Sequence, residues 1–213
     1  MTAYRNFIVG FPVRCTEILT TFYDVAKAND REVTLMLAVA AAALIVPFER
    51  LRLSGRKKKP HASGDRDRPE FSKAKQCFEN LLCQPFLGLA LWPSDDPGSW
   101  QYGDVKKNRL TEDPDQWAPP DGESCVTDKL LCRKLLTTIR NALAHGNIWV
   151  TPLEGQISRL IFVSVPEDSQ TANLAAATPE DFRVLLESWV RFLAANEIPM
   201  GAVEESEHFA AAA

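Results

Sequence analysis

The sequence contains no Cys-x-x-Cys pair. Its five cysteines are Cys15, Cys77, Cys83, Cys125 and Cys132; the closest are six and seven positions apart. Neither spacing builds a zinc site. Four of the five fall at or near apolar positions of predicted helices, where a free cysteine behaves as a small hydrophobe. A reducing, cytoplasmic compartment is the expectation. The opening "MTAYRNFIVG" lacks the charged-then-apolar order of a signal peptide. Hydrophobic runs of membrane length are missing as well. The longest candidate, "VTLMLAVAAAALIVPF" from Val33 to Phe48, falls short of the roughly 18–20 residues a span needs. Its alanine content suits a helix buried on most sides, so no stable membrane insertion is expected. The basic flank "ERLRLSGRKKK" leaves surface anchoring open as an alternative. An excess of positive charge is also missing. The net charge is −4, so any nucleic-acid contact must come from a local patch and not from bulk attraction.

What is present organises into helices. Cys15, Ile18, Leu19, Phe22 and Ala26 recur at helical spacing and predict a first helix over about 12–27. "AND" at 28–30 is a turn, and Asp30 is placed to cap the next helix. That helix runs from Arg31 to about Leu53, and Pro47 should kink or divide it. "SGRKKKPHASGDRDRP", 54–69, reads as a linker of glycine, proline and charge. The stripe Phe71, Ala74, Phe78, Leu81 and Leu82 predicts a third helix after Pro69. Residues 84–123 carry six prolines and little periodicity, which predicts a long loop. Trp92, Trp100 and Trp117 lie in it, either to pack on the helices or to stack bases. "NIWVT" and "ISRLIFVSV" around "PLEGQ" predict a β-hairpin. Thr178-Pro179-Glu180-Asp181 is a strong helix start, and Phe182, Leu185, Leu186, Trp189 and Leu193 give that last helix its inner face. The end, 201–213, should be a frayed tail. His61 and His208, in linker and tail, carry no assigned role.

The helix predicted over about 124–145 is the most informative. Leu131, Cys132, Leu135, Leu136, Ile139, Ala142 and Leu143 make one broad apolar face. Lys129, Arg133, Lys134, Thr137, Arg140, Asn141 and His145 occupy the other, and Gly146 ends the helix. Asn141 and His145 are neighbours at i, i+4. Arg140 lies about 140° around the axis from His145, at 100° per residue. One helix alone therefore does not close a tight site between them. Read without further context, Arg140 and His145 are a solvated helix end with a cation complementing the dipole. Read as chemistry, histidine can move a proton near neutral pH, and arginine presents a planar fork of donors to phosphate oxygens. No carboxylate cluster accompanies them, so neither a metal nor another cofactor is implied.

"RNALAH", Arg140 to His145, resembles the Arg-polar-x-x-x-His motif of HEPN domains (higher eukaryotes and prokaryotes nucleotide-binding). The placement at a helix end, the glycine that follows and the three preceding helices extend the likeness. The alanine-rich second helix ending "VPFERLRL" is similar to that of small bacterial HEPN proteins. The resemblance covers about 11–149 of a single domain. The loop 84–123 would be an insertion, and the hairpin and last helix, about 147–196, an extension. It implies a mainly α helical bundle with a C-terminal hairpin and a final helix. It also implies a homodimer in which two motifs face each other. Arg140, Asn141 and His145 would then be catalytic, with Arg133, Lys134 and Thr137 as weaker RNA contacts. The implied activity is a metal-independent endoribonuclease attacking through the 2′-OH, in a toxin–antitoxin or phage-defence setting with an antitoxin or other partner protein. The family also contains non-catalytic modules that bind nucleotide or protein, and this remains the alternative. The basic stretch 50–59 could add phosphate contacts.

Overall fold

In a computed structural model, residues 10–51, 72–88, 91–111, 117, 126 and 129–196 are described. The linker 54–69, most of the basic stretch 50–59, Phe71, Cys125, both His61 and His208, and the tail 201–213 lie outside them.

Among the described residues, five α-helices, one short 3-10 helix (Lys107–Thr111) and one sheet make the fold. The helices are α1 (Phe11–Lys27), α2 (Glu32–Leu51), α3 (Ser72–Leu82), α4 (Cys132–His145) and α5 (Pro179–Ala195). The strands are β1 (Gln101–Lys106), β2 (Ile148–Leu153), β3 (Gln156–Ser164) and β4 (Thr171–Ala177), antiparallel in the order β1-β4-β3-β2. The mainly α bundle with one hairpin is therefore corrected to a mixed helix-and-sheet architecture. The hairpin itself is where the sequence placed it. Its two-residue turn, Glu154 and Gly155, has φ of +51° and +83°, matching the twist of the flanking strands. The additions are β1 and β4. β4, "TANLAAA", has little β propensity, but it lies between β1 and β3. Ala172, Ala175, Ala176 and Ala177 are buried there on both faces. Burial and ladder hydrogen bonds outweigh intrinsic preference in such a place. β1 arises inside the expected loop and is an edge strand, paired in the sheet with β4.

The sheet has apolar cover on both sides. Leu160, Phe162, Ala175 and Ala177 join the helices in the main core. On the other face Val105, Ile161, Val163, Leu174 and Ala176 lie under Trp117 and Trp149, whose rings meet edge to face at 5.0 Å. Trp92 and Trp100 are buried against Phe86. All three loop tryptophans therefore pack, and none offers an open face to a base.

Helix boundaries depart from the periodicity in four places. α1 buries Pro12, Cys15 and Leu19, while Ile18 and Phe22 are exposed. Among the described residues it packs mainly against α2 and α5, so its apolar stripe is wider than its contact. Asp30 sits in the left-handed region at φ +54°, as part of the turn preceding α2. α4 starts at Cys132, because Pro85 and Leu131 form a β-bridge just before it. Finally, α2 is one helix through Pro47. Among the described residues no helix is long and apolar enough to cross a membrane.

Pro47 has no N–H, so the Ala43 carbonyl, four residues earlier, lacks its usual helical donor. Trp189 on α5 supplies one: its indole Nε1 donates to the Ala43 oxygen at 2.7 Å, in the buried interior. This predicts a specific coupling. Trp189→Phe should cost about 1–3 kcal/mol by leaving that carbonyl unsatisfied. In a Pro47→Ala background residue 47 donates instead, and the same change should cost clearly less. Equal losses in both backgrounds, measured by denaturant unfolding, would disprove the coupling.

Candidate functional site

α4 is positioned by its buried stripe of Cys132, Leu135, Leu136, Ile139 and Ala142 against α2 and the sheet. This leaves Arg133, Thr137, Arg140 and Asn141 along one flank and His145 at the exposed end. Gly146 stops the helix at φ +72°, and its N–H donates to the Ala142 carbonyl. A Cβ there would meet nothing within 4 Å, so the glycine serves the backbone angle and not the space. The chain then turns straight into β2, which fixes His145 at the junction of helix and sheet.

The motif residues are tied together and to the sheet. Arg140 Nη1 donates to Asn141 Oδ1 at 2.7 Å, and Asn141 Nδ2 donates to Ser164 Oγ at 3.0 Å. Ser164 is the last residue of β3 and is 5% exposed. The two ends of the Asn141 amide are thus turned to different partners, one cationic and one on the sheet. Asn141 orients the guanidinium here, a different use from the imidazole contact that its helical spacing allows. Burial lowers the Arg140 pKa from its ordinary value, yet arginine stays charged at any working pH. A partly dehydrated guanidinium also acts on a nearby phosphate through a lower effective dielectric.

Two cavities open on this flank. The first, about 240 Å³, is lined by Phe48, Phe78 and Leu82 on one side and Arg133, Thr137, Arg140 and Asn141 on the other. The second, about 900 Å³, lies between the end of α4 and the β3–β4 connection. Thr137, Asn141, His145 and Asn147 line one wall, and Ser164 to Ser169 with Asn173 line the other, so Glu167 and Asp168 face it. Asn141 and Thr137 are shared by both cavities. Arg140 belongs to the first and His145 to the second. Within one chain the pair is therefore adjacent but divided. Of the weaker RNA contacts suggested by sequence, Arg133 lines the first cavity, Thr137 lines both and Lys134 lines neither.

Sequence reasoning missed Phe48, Phe78 and Leu82 as pocket walls, because they read as core. It also missed Ser164, a hydroxyl ending an apolar strand, 23 residues from its partner. Only the antiparallel return of β3 beside α4 brings the two together. Among the described residues no three His, Cys, Asp or Glu side chains gather as a metal-ligand set.

A family model described as HEPN pEK499 p136 matches residues 1–200. No curated protein and no solved structure matches the chain.

Proposed function

The chain belongs to the HEPN pEK499 p136 family, and from that membership we propose that it is a metal-independent endoribonuclease. The observation that carries the reading is the Arg140–Asn141–Ser164 chain, which holds a guanidinium in place beside the cleft that His145 enters. In this reaction a base takes the proton of a 2′-OH, whose oxygen attacks the adjacent phosphorus. The 5′-oxygen leaves with a proton from an acid, and a 2′,3′-cyclic phosphate remains. His145 suits either proton transfer. Arg140 suits the developing charge on the phosphorane oxygens.

We assign the working unit to a homodimer. The division of Arg140 and His145 between two cavities supports this, since a two-fold interface would set a second motif opposite the first. One histidine then serves as base and its twin as acid. The alternative, a non-catalytic nucleotide- or partner-binding module, is favoured by the same division if the chain acts alone.

The test is cleavage of labelled single-stranded RNA, tRNA and mRNA in EDTA. Products ending in 2′,3′-cyclic phosphate are expected, and a 2′-deoxy nucleotide at the scissile position should protect the strand. No cleavage of any of these RNAs would leave the binding-module reading in its place. A monomer by sedimentation that still cleaves would refute the composite site.

A further inference from the structure

The 240 Å³ cavity beside Arg140 has two chemically different sides. Its apolar side is built from three side chains on two helices, α2 and α3. Phe78, on α3, and Leu82 are almost wholly buried, and Phe48 of α2 meets Phe78 edge to face at 5.1 Å. Phe48 itself is only half-buried. The polar side comes from one helix, α4, and brings two guanidinium groups, Arg133 and Arg140, seven residues apart and so on the same flank. An apolar floor alone would suit many ligands. Two arginines at its rim restrict the class to molecules that join a flat apolar group to an anion within a few ångströms. A nucleotide unit of a single strand is such a molecule: its base is an apolar face and its flanking phosphates are the anions. The volume also suits one ring system, being below the roughly 300–1,000 Å³ of pockets that enclose whole ligands. Finally, Thr137 and Asn141 are the partition between this cavity and the one that His145 enters. A base seated here would place its own phosphate at that partition.

We propose that the Phe48–Phe78–Leu82 cavity is a base-binding subsite that takes one unstacked base of single-stranded RNA next to the scissile phosphate. Arg133 and Arg140 hold the phosphates that flank it. The inference rests on the reading of the site as one that acts on RNA, and it adds which part of the strand is gripped. It also explains why a duplex would be a poor ligand: its bases are stacked and paired, and none can enter a pocket without being splayed out.

The test measures binding and not cleavage, so it is independent of whether the protein is an active nuclease. A short single strand with 2′-O-methyl riboses cannot be cut by 2′-OH attack. One abasic residue is walked along it, and the affinity of the full chain for each version is measured. Stacking on an aromatic side chain implies a loss of about 5- to 150-fold when the missing base is the one that enters the cavity. Phe48→Leu keeps an apolar wall but removes the ring, and in that variant parent and abasic strands should bind alike. Arg133→Ala should weaken every version by a similar factor, because it acts on phosphate. Equal wild-type affinity for the parent and all abasic versions, absence of binding included, overturns the subsite. So does an abasic penalty that persists undiminished in Phe48→Leu. The nuclease reading instead falls if none of the labelled single-stranded RNA, tRNA and mRNA is cleaved in EDTA, whatever the binding shows.

Discussion

His145→Ala is expected to cleave RNA about 10²–10⁴-fold more slowly than the wild-type chain, with its unfolding transition unchanged. The rate loss follows from removing the one motif side chain suited to act as general acid or base. The unchanged stability follows from its position. His145 is exposed and is the last residue of α4. The helix is held by its buried stripe and ended by Gly146, neither of which touches the imidazole's role. His145→Gln provides the control, since an amide can donate and accept hydrogen bonds but cannot shuttle a proton. It should be as slow as the alanine variant. A glutamine variant retaining wild-type rate would show that His145 binds and does not transfer protons. The proposed dimer adds a further expectation. Mixing His145→Ala chains with wild type should give hybrids with one histidine, and their activity should fall below half of the wild-type rate if base and acid come from different chains. A strictly proportional decline would mean that each chain works alone.

The parts of this site legible in the sequence were those carried by one continuous helix. The polar flank of α4, its stop at Gly146 and the Arg140–His145 spacing all follow from 100° periodicity and a glycine. The capped start of α5 was legible for the same reason. Thr178 and the three residues after it carry the whole signal, and the Thr178 hydroxyl accepts from the Asp181 N–H. The sheet was only half legible. β2 and β3 announce themselves by a run of β-branched residues around a Glu-Gly turn. β4 is an alanine strand, and its identity comes from its neighbours and not from its own residues. That failure carried through to the site, because the sheet supplies Ser164 and the wall bearing Glu167 and Asp168. A fold read as a bundle offers no partner for Asn141 except solvent and His145. The pocket walls failed differently. Phe48, Phe78 and Leu82 were correctly apolar and inward, but periodicity cannot tell a side chain that fills a core from one that lines a cavity at its edge.

Arg140→Ala should lower kcat by about 10²–10³-fold, the typical effect of deleting one preorganised donor to a developing oxyanion. KM should change less, because the charge on the phosphorane exceeds that on the diester and the lost interaction is mostly made in the transition state. Arg140→Lys should recover only part of the rate, since a point charge does not reproduce the two-pronged fork. Orientation of that fork is the contribution of the residues behind it. Asn141→Asp is nearly isosteric, but it would turn a neutral acceptor 2.7 Å from the guanidinium into a carboxylate. The resulting ion pair would offset the charge meant for the phosphate, so this variant should approach Arg140→Ala in rate. Ser164→Ala removes the partner of the Asn141 amide without touching Arg140. Its loss should be smaller, roughly tenfold or less, the order of one hydrogen bond. The decisive comparison is the double variant. If Ser164 acts only by holding Asn141 and through it Arg140, then Ser164→Ala should cost nothing further once Arg140 is alanine. Additive losses in kcat would place Ser164 on a separate route to the reacting phosphate, through the cleft that it shares with His145.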